Sequence, residues 1–396
     1  MRLVLVLSLV WVAACQSGGA PEPVTTTTDS AGITIVTNLG PQWGEGEGWR
    51  LSEVPVLDLG TFDLEGPESF ERVTGARRLS SGVVVVAEGG AQELRFFDES
   101  GSHIRTVGRQ GNGPGEFQSL RLLELWRGDS LIVHDGRGQP VSLFDSAGVF
   151  GRSFRLEPND SVRFPFSVGT LAGGELVTQG YERREEAPAD GVTRQAMPLQ
   201  KFDLVGAFIG HGPRFDGNEW YVVAMGDDGF AVGELRFGDG IRLGVGLADL
   251  IAIPTHRAEL TWYPSGGRAV GRIARWPAKS RPVTDAEWGR HLDERTSNPQ
   301  TPESIRRAFL GMPRAKTMPL VDGIVVDDDG NVWVRDFRSP LDTTSSLTVL
   351  SAEGELLGRM MVPFRFRPRH IGADFVLGTW EDEDDIPHVQ MYQLIK

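Results

Sequence analysis

The chain has 396 residues, of which 40% are hydrophobic and 24% charged, a composition typical of globular proteins. Its formal net charge of −14 argues against non-specific binding to nucleic acid and against adhesion to anionic lipid headgroups. Gly accounts for 50 of the residues, as expected for a chain with many turns and short strands.

Residues 1–14 have the form of a secretory signal. A positive start is followed by the apolar run Leu3 to Val12, which is too short to span a bilayer. The run ends in Val12-Ala13-Ala14-Cys15, which resembles the lipobox of bacterial lipoproteins, in which the cysteine is acylated and becomes the first mature residue. We therefore predict lipid attachment at Cys15, the only cysteine of the chain; the alternative is an ordinary signal followed by a chance cysteine. By lipoprotein convention, Gln16 favours the outer membrane, facing the periplasm or the cell surface.

Residues 15–30 are rich in Gly, Pro, Thr and Ser and contain few apolar side chains. Such a segment buries too little surface to fold, and we expect a flexible tether between the lipid and the folded domain. The folded domain is predicted to span residues 31–396.

A short turn recurs along that domain, with an apolar residue followed by a four-residue turn ending in Gly. An Asp or Ser side chain can hydrogen-bond the backbone amides of such a turn, and Gly accepts the positive φ. The copies are Phe97–Gly101, Phe144–Gly148, Phe202–Gly206, Tyr263–Gly267 and Leu350–Gly354. Each joins two segments predicted to be strands, and regular return of one hairpin indicates a repeat architecture.

The first two units each contain four short predicted strands, over residues 77–107 and 120–156, the content of one antiparallel propeller blade. Later units are less regular: we place the third at 164–206, the fourth from Trp220 to Trp276, the fifth at 323–362 and the sixth at 369–395. The sixth lacks one strand, and residues 50–59 can supply it, which closes the ring and removes exposed sheet edges. The fold prediction is an all-β, six-bladed β-propeller of four-stranded antiparallel blades. A seven-bladed ring or an open array stays open as an alternative, with an unrecognised unit within 233–262.

One segment has helical rather than strand periodicity. Thr284-Asp285-Ala286-Glu287 is a capping box, and Thr301-Pro302 can begin a second helix. We predict a helical insertion over about 284–311, between blades 4 and 5.

The segment Gly108–Phe117, which reads GRQGNGPGEF, follows the first blade. Together with the Phe-Asp-x-x-Gly turns it resembles the bacterial six-bladed β-propeller lipoproteins, within the NHL-like propellers. The resemblance covers roughly residues 50–396 and implies a fold and a location, with hardly any chemistry.

Few residues indicate chemistry. Arg109 and Glu116 of the glycine-rich link, and His134 and Asp135 after a strand at an expected solvent-filled rim, are the candidate ligand-binding residues. No catalytic residue is predicted, and the histidines lack the spacing of a zinc site. The acidic runs Asp327–Asp329 and Glu381–Asp385 raise calcium as the one cofactor to consider, although both lie where hairpin turns belong. The alternation of Phe and Arg over Phe364–Arg369 is interpreted as a strand with arginines on its wet face rather than as a nucleic-acid strip.

The sequence therefore predicts a lipid-anchored, extracytoplasmic binding or scaffold module for a protein, peptide or glycan ligand, with no nucleic-acid partner and membrane contact through the lipid. The alternative is a metal-dependent propeller hydrolase or lyase, similar to a lactonase, with its site at the central channel. Such a site requires side chains from several blades to converge on the axis, which sequence spacing does not show.

Overall fold

The computed structural model describes residues 24–44, 46–62, 66–136, 140–157, 162–182, 190–224 and 230–396. The predicted signal, Cys15 and the first part of the tether lie outside these ranges. Within them, no helix is both long enough and apolar enough to cross a membrane.

Strands make up most of the regular structure. In the first half of the described chain they are β1 Thr25–Ser30, β2 Ile33–Asn38, β3 Arg50–Leu51, β4 Leu57–Leu59, β5 Val73–Arg78, β6 Val84–Glu88, β7 Glu93–Phe97, β8 His103–Val107, β9 Leu122–Trp126, β10 Ser130–His134, β11 Val141–Phe144, β12 Phe150–Phe154, β13 Val162–Thr170, β14 Leu176–Glu182 and β15 Gly191–Phe202. In the second half they are β16 Phe208–Ala224, β17 Phe230–Glu234, β18 Ile241–Val245, β19 Asp249–Pro254, β20 Glu259–Pro264, β21 Arg272–Arg275, β22 Val321–Val326, β23 Val332–Asp336, β24 Ser345–Leu350, β25 Leu356–Val362, β26 Arg367–Ile371, β27 Phe375–Glu381 and β28 Pro387–Ile395. The helices are α1 Asp285–Thr296 and α2 Glu303–Leu310, with a short 3₁₀ turn at Arg127–Asp129.

Within the described residues these strands form six sheets of four or more strands, antiparallel except where β2 pairs with β21. The sheets are β5–β8 (sheet 1), β9–β12 (sheet 2), β13–β17 (sheet 3), β18–β21 followed by β2 and β1 (sheet 4), β22–β25 (sheet 5), and β26–β28 with β4 and β3 (sheet 6). The first strand of each sheet contacts the first strand of the next, and β26 of sheet 6 contacts β5 of sheet 1. The sheets therefore follow one another around a closed ring, the arrangement of a β-propeller.

The hydrophobic core is divided among the spaces between neighbouring sheets. One cluster joins sheets 1 and 2, another joins sheets 4 and 5, and the cluster containing Leu59, Phe97 and Val389 joins sheet 6 back to sheet 1. Face-to-face packing of consecutive sheets buries both faces of each sheet, so this core also closes into a ring.

The recurrent turns form as the sequence predicts. One carboxylate oxygen of Asp98, Asp145 or Asp203 accepts hydrogen bonds from the backbone amides two and four residues further on, at 2.8–2.9 Å. Gly closes each of these three turns with φ between +77° and +92°. The copy at Tyr263–Gly267 differs, because the positive φ falls on Ser265 and Gly266 rather than on its last residue.

The prediction that residues 50–59 close the ring by joining the last sheet is confirmed. Leu57, Asp58 and Leu59 of β4 pair antiparallel with Met391, Gln390 and Val389 of β28. The β4 strand thus supplies the strand that the last sheet lacks.

Two predicted boundaries are wrong. Thr25–Ser30, assigned to the flexible tether, forms β1 and pairs with β2, and its β-branched threonines favour a strand. Trp220, assigned to the fourth unit, lies in the 17-residue strand β16 of sheet 3, and sheet 4 begins at Ile241. No separate sheet arises within the described part of 233–262, which is divided between sheets 3 and 4.

The predicted helices are present and lie between β21 and β22 along the chain. The capping box is complete: Thr284 Oγ1 accepts from the Glu287 amide at 3.3 Å, and the Thr284 amide donates to Glu287 Oε2 at 2.9 Å. Trp288 packs against Phe237, the two rings 6.5 Å apart, so α1 contacts the loop that precedes sheet 4.

Candidate functional site

Arg109 and Glu116 lie in the glycine-rich link and contact each other. Arg109 Nε donates to Glu116 Oε1 at 2.7 Å, and the Gly113 amide donates to Glu116 Oε2 at 2.7 Å. The Gly113 amide and then the Arg109 guanidinium hold the pKa of Glu116 below its usual range. Both oxygens of Glu116 thus stabilise the loop, while the Arg109 side chain is 78% exposed to solvent.

Asp135 also organises this loop. Its carboxylate accepts from the amides of Gln118 at 2.7 Å and Gly136 at 3.0 Å, and from the amide of Ser119. These contacts fasten the end of β10 to the link, so Asp135, Arg109 and Glu116 share one loop region.

His134 has a different environment. The expectation of a solvent-filled rim is wrong for this residue, because its side chain, at the end of the inner strand β10 of sheet 2, is buried. Its Nε2 lies 2.7 Å from Glu124 Oε2, and its Nδ1 is buried without a hydrogen-bond partner in the described chain. The structure therefore separates His134 from the other three predicted residues and joins it to Glu124.

The first strands of the six sheets surround the centre of the ring. Glu124 belongs to a set of polar side chains that these strands carry. We call this set the central belt, and all six sheets contribute to it. Its members are Arg77 of β5, Glu124 of β9, Thr170 of β13, Arg242 of β18, Asp322 of β22 and Arg369 of β26.

Glu124 links sheets 2 and 3 within the belt. Thr170 donates to it twice, from its amide at 3.0 Å and from Oγ1 at 2.9 Å. Burial alone would raise the pKa of Glu124, but the hydrogen bonds from His134 and Thr170 outweigh it and leave the pKa below its usual value. Glu124 is therefore an anion in the belt at neutral pH.

Arg77 links sheets 1 and 6. Its Nη1 donates to the carbonyl of Ala76 at 2.9 Å and to the carbonyl of Arg369 on β26. Burial lowers the pKa of Arg77, and the charges of Glu124 and Asp328 partly offset that effect. The guanidinium thus lies between an acidic region at Glu124 and a basic region at Arg369.

The basic region continues across sheets 4 and 5. Arg242 Nε and Arg335 Nη2 both donate to the Asp322 carbonyl, at 3.1 and 3.2 Å, and Arg335 Nη2 lies 3.2 Å from Asp322 Oδ2. The guanidinium of Arg335 covers Gly323, where an added Cβ would lie 2.5 Å from Nη2. A side chain at position 323 would therefore displace the Arg335 guanidinium from this position.

Arg369 shows how concentrated the positive charge is. Burial, and then the neighbouring charges of Arg335, Arg367 and Arg77, lower the pKa of Arg369 to about 10. The guanidinium stays protonated at neutral pH in spite of that repulsion.

The described residues form no group of metal ligands, and a cleft lies outside the central belt. Among the described residues, no three His, Cys, Asp or Glu side chains form a group that could hold a metal ion. The acidic runs lie in turns: Asp327 accepts from the amides of Asp329 and Asn331, and Asp382 from those of Asp384 and Ile386. A cleft of about 640 Å³ opens beside sheets 1 and 6, lined in part by Phe62, Phe70, Glu88 and Arg95.

The central belt was not predicted from the sequence. Its one visible signal is the alternation over Phe364–Arg369, which places Arg367 and Arg369 on the first strand of sheet 6. The interpretation as strand residues is confirmed for these two arginines, but their convergence with arginines of other sheets depends on the closed ring.

Comparison with known proteins identifies no family: no family model matches the chain, and no curated protein sequence matches it significantly. Solved structures are similar over most of its length. A Bacteroides fragilis protein whose name proposes export is 11% identical, covering 91% of this chain and 99% of its own, with a TM-score of 0.49. A DUF4221 family member from Bacteroides vulgatus is 10% identical (88% and 99% covered, TM-score 0.49), and virginiamycin B lyase from Staphylococcus aureus is 9% identical (87% and 99% covered, TM-score 0.41). At such scores the fold assignment rests on the sheet pairing and the ring of first strands.

Proposed function

We propose that the chain is an exported, lipid-anchored, six-bladed β-propeller that acts as a binding or scaffold module for a protein, peptide or glycan ligand. The observation that carries the proposal is the central belt, in which charged and polar groups from all six sheets surround one axis. Rings of sheets hold such groups in fixed positions, which lowers the entropy lost when a ligand binds. Arg109 and Glu116 at the link, and Asp135 beside them, are proposed as a peripheral contact for the same partner.

The anchor is proposed at Cys15, with the protein attached to the outer membrane and facing the periplasm or the cell surface. Several acyl chains attached to one cysteine hold a protein firmly at a membrane, at ~0.8 kcal/mol per buried CH₂ group. Metabolic labelling with an alkyne fatty acid tests this: the wild type should be labelled and sediment with membranes, whereas Cys15→Ser should be unlabelled and soluble. Mass spectrometry that found an unmodified mature N-terminus would refute the anchor.

The binding role is tested with the purified chain by calorimetric titration against short peptides and against neutral and acidic oligosaccharides. At least one class should bind saturably and be recovered unchanged. Glu124→Gln should weaken that binding, while Arg152→Gln, on the exposed edge strand β12, should leave it intact.

The same purified protein serves to distinguish the binding role from the alternative, a metal-dependent hydrolase or lyase. Elemental analysis and thermal melting with and without a chelator should show no stoichiometric metal that raises the melting temperature. A stoichiometric, stabilising metal together with turnover of a ligand would favour a hydrolase or lyase and contradict the binding role.

A further inference from the structure

One end of the central belt carries far more positive than negative charge. Arg242, Asp322 and Arg367 lie at the first or second position of their strands, so they share the end of the ring at which the first strands begin. Arg335 and Arg338 belong to the same end, because β23 runs antiparallel to β22. We call these guanidinium groups the arginine mouth: Arg242, Arg335, Arg338, Arg367 and Arg369.

Few carboxylates face these groups. Asp322 is engaged by Arg335 at 3.2 Å, and Asp342 lies 4.0 Å from Arg281. The arginines instead act on one another: after burial, which is the larger cause, Arg335 and Arg367 each lower the pKa of Arg369, and Arg367 contributes to lowering that of Arg338. The mouth therefore has an excess of positive charge in a protein whose net charge is −14.

Two of the guanidinium groups have unused hydrogen-bond donors. Arg335 Nε is buried without a partner among the described residues. The Arg367 side chain is exposed to solvent, and its guanidinium makes no hydrogen bond or ion pair with the described part of the chain, although its backbone pairs with Thr379 in sheet 6. A buried donor without an acceptor lowers stability unless a ligand or water supplies one.

Deprotonation does not relieve this repulsion, because arginine stays charged at physiological pH even where its pKa is lowered to about 10. A bound anion would relieve it. The planar guanidinium fork matches the paired oxygens of phosphate and carboxylate groups, and such charge-assisted pairs are about twice as strong as neutral ones.

We propose that the arginine mouth binds an oxyanionic ligand, a small molecule that carries two or more negative charges on phosphate or carboxylate groups. The inference rests on the proposed function and narrows the ligand class at the centre of the ring. Arg367 makes the first contact from solvent, while Arg335 and Arg242, fixed by the Asp322 carbonyl, hold the anion at the axis.

The test is calorimetric titration of the full-length protein in detergent with inorganic phosphate and, separately, with citrate, at constant ionic strength. The anion that matches the site should bind at one per chain, and its affinity should fall as salt is raised. Arg367→Gln should weaken it at least tenfold, Arg367→Lys less, and Arg152→Gln should have no effect. Comparing the two anions shows whether phosphate or carboxylate is preferred.

Circular dichroism and melting temperature establish that each variant is folded, and Arg367 is a suitable first target because its side chain is exposed. Absence of binding of both anions at millimolar concentration, or equal loss in Arg367→Gln and Arg152→Gln, would overturn the inference. If a neutral peptide or sugar still bound at the belt, the proposed function would stand without it; if no ligand bound, both would fail.

Discussion

In each of three hairpins of this protein, one aspartate sets the geometry of the turn. In Asp98, Asp145 and Asp203 one carboxylate oxygen accepts from two backbone amides of the turn that follows. A turn fixed by its own side chain needs no tertiary contact to form, and for that reason these hairpins were predictable from sequence.

Removing the carboxylate of Asp203 should lower the free energy of unfolding only slightly. In Asp203→Ala the amides of Val205 and Ala207 lose acceptors at 2.9 and 2.8 Å. Because water can replace them at this exposed turn, we expect a loss of ~0.5–1.5 kcal/mol, measured by urea denaturation. Val205→Ala, at a side chain that is 66% exposed, is the matched control and should be neutral; equal effects of the two would contradict the role of Asp203.

Glu287 has the most engaged carboxylate of the helical insertion. It accepts from Arg281 Nη1 at 3.0 Å, from the Thr284 amide at 2.9 Å and from Ser339 Oγ at 2.5 Å, and its side chain is buried. The Arg281 guanidinium is the main cause that holds the pKa of Glu287 far below its ordinary value, with Ser339 and Thr284 adding to the effect.

The pH dependence of stability follows from the direction of this shift. A carboxyl group whose folded pKa is depressed stabilises the fold above its unfolded pKa of 4.5, and that contribution is lost as the pH falls through and below 4.5. Glu287→Gln should therefore destabilise the protein at pH 7 by ~1–3 kcal/mol, and the difference from wild type should narrow on acidification toward pH 3. Thermal melting between pH 7 and 3 measures it. Glu303→Gln, at an exposed position in the first turn of α2, should keep the wild-type slope.

At the scale of elements, the hairpin β1–β2 shows how a strand can be missed in a sequence. The run of threonines in β1 resembles a linker, and its side chains are mostly exposed. The hairpin is held by the parallel pairing of β2 with β21 and by Asn38 at the end of β2. Asn38 donates to the carbonyls of Arg275 and Gly354 at 3.0 Å and accepts from the Leu356 amide at 2.8 Å. These partners are more than 230 residues away, so local sequence gives no sign of them.

Asn38→Ala should loosen the hairpin β1–β2 against β21 and against sheet 5. The change leaves the buried Leu356 amide without its acceptor, and we expect a loss of ~2–4 kcal/mol in urea denaturation. Hydrogen exchange should rise across β1 and β2 and remain low in sheet 1. Thr27→Ala, an exposed residue of β1, provides the control; an intact hairpin in Asn38→Ala would refute the assignment.

The third and fourth sheets mark the limit of prediction at this scale. Turn signals fixed the first two units because each strand ended at a Gly turn close in sequence. In sheet 3 the 17-residue strand β16 runs from Phe208 to Ala224, across the expected boundary at Trp220, and the Gly, Pro, Asp and Asn residues within it do not end it. Strand length there is set by pairing with β15 and β17, a tertiary effect that overrides local propensity.

At the scale of the whole molecule, the ring was predictable and the central belt was not. A count of hairpin units and one spare strand implied closure. By contrast, Arg77 donates to the carbonyl of Arg369, which lies 292 positions away in the sequence. Glu124 of sheet 2 accepts from Thr170 of sheet 3. Which side chains meet on the axis depends on the register of every first strand. A shift of one residue would turn all the side chains of that strand to the opposite face.

Closure of the ring supports the last prediction, which concerns Leu59. This β4 side chain is 1% exposed and packs in the cluster with Phe97, Leu377 and Val389, joining sheets 6 and 1. Truncation to alanine should cost ~2–5 kcal/mol, measured by urea denaturation. Val56→Ala, three residues earlier and 56% exposed, should cost little.

The folding and unfolding rates of Leu59→Ala should show that the stability it loses comes from closure of the ring. The neighbouring contact between Asp58 and His388 spans 330 residues, so this pairing carries a high entropic cost and forms late in folding. A contact that is absent from the transition state affects unfolding more than folding. Leu59→Ala should therefore accelerate unfolding in stopped-flow measurements and leave the folding rate nearly unchanged; a matching fall in the folding rate would show that the two ends of the chain pair early and that closure nucleates the ring.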